Sequence, residues 1–432
     1  MYNAHVEPFT LNADSTPATP RTRPSWVRDR IVRFDRKLDP QKRKLKWARM
    51  SQSPSVFFRQ TGHLFWADFA RSPLLDNFGG GKKTRLWING DALIDHFTSL
   101  TDTSGRLVLD LAHFDGCVIA DYQFDLFRLG VSLALNAMEN RQNPKAVYRM
   151  VLEYARAYWR EVKSCRWYEN VRFSPWDEEQ SSGSIRHFLA GIRKTRGYLQ
   201  MLELWTKAGK AGLRFKTSGN GAELGVFPKE GAKKLEKALL WYAGDLKPWP
   251  GPKPRVFEVT DLALSSNDAM GSYWALVRVK EEGENPYRIL ELRREGEPHS
   301  WDFLPKKARR KTRDLCGDNQ ALRAELGCRA LARSQDPWLG RLELKDGDYL
   351  VREKSPFEAS LPGPMVDEGA AIQLGAILAR AHCRAKDSFA KSAFEAIKAD
   401  KKAFRKQVAE IALAYSAQVE ADYQSFRSRE QD

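Results

Sequence analysis

Between Thr84 and Leu133 the chain gathers groups that can do chemistry: the carboxylates Asp91, Asp95 and Asp115 and the imidazoles His96 and His113. One apolar segment ends in Gly90-Asp91, and a second ends in His113-Phe114-Asp115. Polar groups delivered at the ends of two strands make a floor for a ligand. Carboxylate oxygens suit a hard cation such as Mg²⁺. Mixed carboxylate and imidazole donors suit Zn²⁺, Mn²⁺ or Fe²⁺.

These groups need a frame. The pattern after Asp121 is helical, with Leu126, Leu129 and Leu133 three and four apart, and it puts Asp125 and Arg128 on one helix face. Pro144–Ser164, Ser184–Lys207 and Lys229–Tyr242 read as further helices. Residues 53–70 form an aromatic cluster around Phe57, Phe58, Phe65 and Trp66, with His63 packed inside it. Arg59 and Asp68 sit among these apolar residues, and each is expected to be ion-paired. Gly79-Gly80-Gly81-Lys82 is a loop but not a P-loop, because Asp76 and Lys83 occupy positions that need Gly and Ser or Thr.

From about residue 256 the period becomes two. Residues 272–280 and 287–295 alternate, and 339–354 reads as a hairpin turning at Asp346-Gly347. A small antiparallel sheet is therefore expected over 256–358, with one basic helix inside it. The proline-rich segment 246–254 separates it from a helical large part, 26–250. Three helices close the chain over 359–432, and residues 1–25 read as a disordered tail. The fold class is α+β.

At 432 residues with 42% apolar and 11% aromatic residues, the chain has the composition of a folded protein. Five cysteines without a C-x-x-C pair exclude a disulfide framework and a zinc ribbon. No run of about 18 apolar residues occurs, so no membrane span is expected, and a cytoplasmic location follows from the reduced thiols and the lack of an apolar leader. The net charge of +16 is spread along the chain. The run RKLDPQKRKLK lacks the interleaved aromatics of a nucleic-acid surface and reads as a solvated helix face, so nucleic acid is not expected; the partner expected for the protein as a whole is a nucleotide or phosphorylated ligand.

Several spaced segments together resemble a bacterial family known as domain of unknown function 2252. They are Gly90-Asp91-Ala92-Leu93-Ile94-Asp95-His96-Phe97, His113-Phe114-Asp115-Gly116, Phe124-Asp125-Leu126-Phe127-Arg128-Leu129, SPSVFFRQT, GDYLVREKSPFEASL and LGAILARAHCR. That family is similar to kinase-like phosphotransferases of the aminoglycoside and choline kinase type. The resemblance implies a kinase-like large lobe and a small sheet lobe in circularly permuted order, with ATP and a divalent metal as cofactors if the site is active. It implies Asp91 as the catalytic carboxylate and Asp115 as a metal ligand. His96 stands where the family has Asn, and His113 where it has Asp. The nucleotide loop would fall at Leu264–Ala269, bringing Ser265, Ser266 and Asn267 to the phosphates without a glycine. Arg293 replaces the expected lysine.

Imidazole is a poor ligand for Mg²⁺. The leading expectation is thus a degenerate nucleotide and metal site, non-catalytic or weakly binding. One alternative is an active ATP-dependent phosphotransferase using Asp91 and Asp115, with Asp95 a further oxygen donor. Another is a transition-metal site built from His96 and His113 with Asp91 and Asp115.

Overall fold

The computed structural model describes residues 23–430 except 103, 211, 218–223, 247–255, 266–270, 281–285 and 334–335. Residues 1–22 of the expected tail and the 247–254 part of the expected linker lie outside the described residues. Residues 23–25 do not belong to a tail. They open helix α1 (Arg23–Asp35), where Arg23 bridges Asp68 at 2.7 Å and Asp422 at 2.8 Å.

Three short helices follow: α2 (Pro40–Met50), α3 (Pro54–Gln60) and α4 (Gly62–Phe69). Proline in the first turn and a side-chain cap start α2 and α3. Asp39 accepts from the amides of Gln41 and Lys42, and Ser53 accepts from that of Val56. Four short strands come next: β1 (Arg85–Ile88), β2 (Phe97–Thr101), β3 (Leu107–Leu111) and β4 (Val118–Asp121). The two strands expected to form one floor belong to different sheets, β1 pairing with β4 and β2 with β3.

Helices α5 (Gln123–Glu139) and α6 (Pro144–Trp167) carry the apolar stripes read from the sequence. The expected helix at 184–207 is broken at Arg196-Gly197 into α7 (Gly183–Thr195) and α8 (Tyr198–Trp205). Its last residues enter a hairpin of β5 (Thr206–Gly209) and β6 (Gly212–Phe215). Strand β7 (Leu224–Val226) and helix α9 (Lys229–Asp245) follow.

The sheet was legible in outline. Strands β8 (Phe257–Ser265), β9 (Ser272–Val279), β10 (Tyr287–Glu295), β11 (Gly340–Leu344) and β12 (Gly347–Glu353) join β7 in a six-stranded antiparallel sheet of order β11-β12-β10-β9-β8-β7. The basic helix expected within it is two helices, α10 (Lys306–Cys316) and α11 (Gln320–Leu331). Gly317, at φ +58°, turns the chain between them. Strand β13 (Ala359–Ser360) adds to β2. Helices α12 (Glu368–Ala385), α13 (Phe389–Ile397) and α14 (Lys401–Glu430) close the chain as the periodicity predicts.

The architecture is α+β, mostly helical, with antiparallel sheets. One continuous core joins α3, α4, α5, α6, α12 and α14. Close packing needs Gly375 there, since a Cβ would come within 2.6 Å of the Tyr154 carbonyl. The six-stranded sheet has two sides. Leu290 and Leu292 of β10 pack toward Leu235 and Leu239 of α9, while Ile289 packs toward Met201 and Trp274. Alternation along β10 then puts Glu291, Arg293 and Glu295 on the Ile289 side. All three line the cleft between the sheet and the helical part.

Candidate functional site

The polar groups meet because the chain turns sharply at Asn89-Gly90. Gly90 adopts φ +74°, and a Cβ there would lie 2.2 Å from the Gly116 carbonyl oxygen, so the two loops cross without side chains between them. Asn89 ties the loops together, its Nδ2 donating to the carbonyls of Ala112 at 3.2 Å and His113 at 2.9 Å.

Asp125, in the first turn of α5, braces this crossing from beneath. It accepts from the amides of Asn89 at 2.7 Å and Gly90 at 2.8 Å. His382 of α12 lies 3.1 Å from the same carboxylate, and Tyr158 of α6 lies 2.7 Å from the other ring nitrogen. The tautomer with its proton on Nε2 satisfies both neighbours. From above, the Trp66 indole donates to the Gly90 carbonyl at 3.0 Å. His382 is a satisfied core residue, as its position in the sequence suggests.

Asp91 emerges from this braced turn. Its side chain is 17% exposed and is paired with Arg128, whose guanidinium is buried. Arg128 also lies over the rings of Phe58 at 4.4 Å and Phe65 at 5.3 Å. Although Asp125 and Arg128 share a helix face, they divide their work. Asp125 holds the backbone of the turn, and Arg128 holds the side chain it presents. Burial pushes the Asp91 carboxyl up to about 7; Arg128 opposes that rise and Asp115 adds to it.

His96 is buried beside His113, ring centroids 5.0 Å apart. His113 itself sits at φ +57°, a rare conformation for a residue other than glycine. Burial lowers both imidazoles to about 3, so both are neutral near pH 7. Asp115 is half exposed and lies 3.2 Å from Arg293. Burial works to raise this carboxyl, but Arg293, His96 and His113 together hold it well below the ordinary range. Asp95, the third carboxylate, is paired with Arg59. Arg59 and Asp68 are thus both ion-paired, as expected, but with Asp95 and Arg23.

Asp91, His96, His113, Asp115, Ser265 and Arg293 all line one cleft of about 1850 Å³. Ser265 ends β8 opposite Ser272, which in turn faces Arg293 across β9 and β10. Ser266 and Asn267 lie outside the described residues. His299 and the wall formed by α1 escaped the sequence reading. The basic residues of that wall, Arg30 and Arg33 of α1 and Arg36 just after it, are plain in the sequence, but their place over the cleft depends on tertiary packing.

The donor set fits a metal poorly. Asp91 and Asp115 already hold guanidinium groups. Among the described residues, no three His, Cys, Asp or Glu side chains converge to hold an ion.

A family model described as uncharacterized protein conserved in bacteria, domain of unknown function 2252, matches residues 36–429. The chain belongs to this family. The match takes in the braced turn, both histidines, the sheet and the closing helices. No curated protein and no solved structure matches the chain. No helix among the described residues is long and apolar enough to cross a membrane.

Proposed function

We propose that this protein of the domain of unknown function 2252 family binds an anionic, phosphate-bearing ligand without a metal ion and without phosphoryl transfer. The proposal uses a kinase-like arrangement of permuted lobes, in which Asp91 stands at the catalytic-carboxylate position and Asp115 at the metal-ligand position. One observation carries it: each of these carboxylates is paired with an arginine, Asp91 with Arg128 and Asp115 with Arg293. A guanidinium brings charge and a planar donor fork suited to phosphate. It does not polarise a phosphoryl group as a metal does. Losing a contribution of several kcal/mol from a metal removes decades of rate, at about 1.4 kcal/mol per decade.

The transition-metal alternative through His96 and His113 is not supported by the donor set. Phosphotransfer through Asp91 and Asp115 keeps one supporting observation, the Asp91 carboxyl at about 7, which suits a general base near neutrality. Calorimetry with ATP in EDTA and in Mg²⁺, alongside an ATPase and kinase assay, separates the readings. Binding unchanged by EDTA with no turnover is expected. Robust Mg²⁺-dependent turnover that disappears in Asp91→Asn would establish the phosphotransferase instead.

A further inference from the structure

We propose that the ligand is a small polyanion bearing several phosphate or sulfate esters, held between an inner end at His63 and His96 and a cationic mouth at Arg33, Arg36, Lys306 and Arg309. This inference rests on the metal-free reading above and specifies its ligand.

The inner end consists of buried polar atoms that lack partners. His63 is 2% exposed, and both its ring nitrogens are without a hydrogen bond. His96 is 5% exposed, and its Nδ1 is likewise unpartnered. Both residues line the cleft. Buried polar atoms are ordinarily paired, and unpartnered ring nitrogens on two residues that line one cleft mark a place where ligand oxygens belong. A neutral imidazole offers one N–H donor to such an oxygen. The His63 ring is fixed for this by stacking on Phe34 of α1, centroids 4.2 Å apart and 4° from parallel.

The mouth is built from two chain segments held side by side. Arg30 of α1 lies 5.7 Å over Phe303, and Phe34 meets His299 edge-on at 5.0 Å. Arg33 and Arg36 come from the α1 side, and Lys306 and Arg309 from the start of α10. All four line the cleft, and none forms an ion pair. Nearby acids are mostly engaged. Asp35 takes Lys46 at 2.6 Å and the Trp47 indole at 2.8 Å, and Glu291 takes Arg352 at 2.6 Å. Glu297 and Asp302 also line the wall, and the unpaired cations exceed them. A cleft of about 1850 Å³ is far larger than a single phosphate requires. Size, charge and buried donors together point to several anionic groups on one molecule.

The test is calorimetry of the full chain in EDTA with inorganic tripolyphosphate, orthophosphate, a persulfated disaccharide and a single-stranded octanucleotide. One polyanion per chain is expected, with tripolyphosphate or the disaccharide at least tenfold tighter than orthophosphate. The tighter of the two identifies the anionic group, phosphate or sulfate. Arg36→Ala/Lys306→Ala should weaken binding at least tenfold. His63→Phe, with circular dichroism checking the fold, should weaken it several-fold. Absence of polyanion binding, binding indifferent to both variants, or tighter binding of the octanucleotide overturns the inference. A requirement for Mg²⁺ overturns the metal-free reading itself. Metal-free binding that ignores the mouth variants overturns only the ligand assignment.

Discussion

Arg293 on β10 lies 3.2 Å from Asp115 in the loop after β3, so a side chain of the six-stranded sheet neutralises a carboxylate of the helical part. Asp115 is half exposed, and exposed pairs contribute at most about 1 kcal/mol. Arg293→Ala is therefore expected to cost about 1 kcal/mol or less in urea unfolding, while weakening metal-free anion binding. A loss of several kcal/mol with unchanged binding would make the pair a purely structural joint.

Arg128 is the opposite case. It is buried, pairs with Asp91 and packs on Phe58 and Phe65. Removing one member of a buried pair leaves the other charge uncompensated, at a cost of about 3–5 kcal/mol. Arg128→Ala should lower stability by that amount. Arg128→Lys should recover only part of it, because an ammonium lacks the planar fork. Equal stability of the lysine variant and the parent in guanidinium unfolding would contradict this account.

Gly90 tolerates no side chain. Alanine there would meet both a positive φ and a carbonyl 2.2 Å away. Gly90→Ala should cost more than about 2 kcal/mol and displace Asp91 from the cleft. Gly105, also at positive φ but with open space around its Cβ position, is the control. Gly105→Ala should cost about 1 kcal/mol. Thermal unfolding of the two variants checks the ranking.

The histidines make stability sensitive to mild acid. His96, His113 and His299 are each lowered to about 3 from an ordinary 6.5, burial being the first cause. Between about pH 6.5 and 3 the unfolded chain binds more protons at these sites than the folded one. Stability should then fall as pH drops, by up to about 1.4 kcal/mol per pH unit for each histidine. Asp91 works against this. Its raised carboxyl stabilises the folded state at low pH and loses that contribution as pH rises from about 4 to 7. Burial lowers His63 in the same sense, so Asp91 offsets only part of the histidine slope: stability should still fall below pH 6.5, and His113→Gln should reduce the slope. A flat profile from pH 7 to 5 would argue against neutral buried rings.

That the polar groups of the site gather in one cleft was legible in the sequence because they are local. Gly90-Asp91, His96 and His113-Phe114-Asp115 fall near one another, and strand ends deliver them. The helices with strong apolar stripes, α5, α6 and α12, were legible for the same reason. The partners of the carboxylates were not. Arg293 reaches Asp115 only after β10 docks against the helical part. Arg128 reaches Asp91 because Asp125, its helix neighbour, is taken up by the amides of Asn89 and Gly90. Short strands such as β2, β5 and β6 carry too few residues to show a period of two, and the break at Gly317 lies within a run of helix formers. Buried histidines such as His63 and His299 have no spacing signature, because their surroundings come from α1, α4 and the loop after β10.

The central claim is that arginines, rather than a metal ion, complete the carboxylate face of this cleft. Calorimetric titration of metal-stripped protein with Mg²⁺ and Mn²⁺, alone and then with ATP, tests it most directly. The account predicts no stoichiometric metal binding and the same anion affinity in EDTA as in Mg²⁺. One equivalent of Mg²⁺ or Mn²⁺ bound per chain, lost in Asp115→Asn and required for ATP binding, would contradict it.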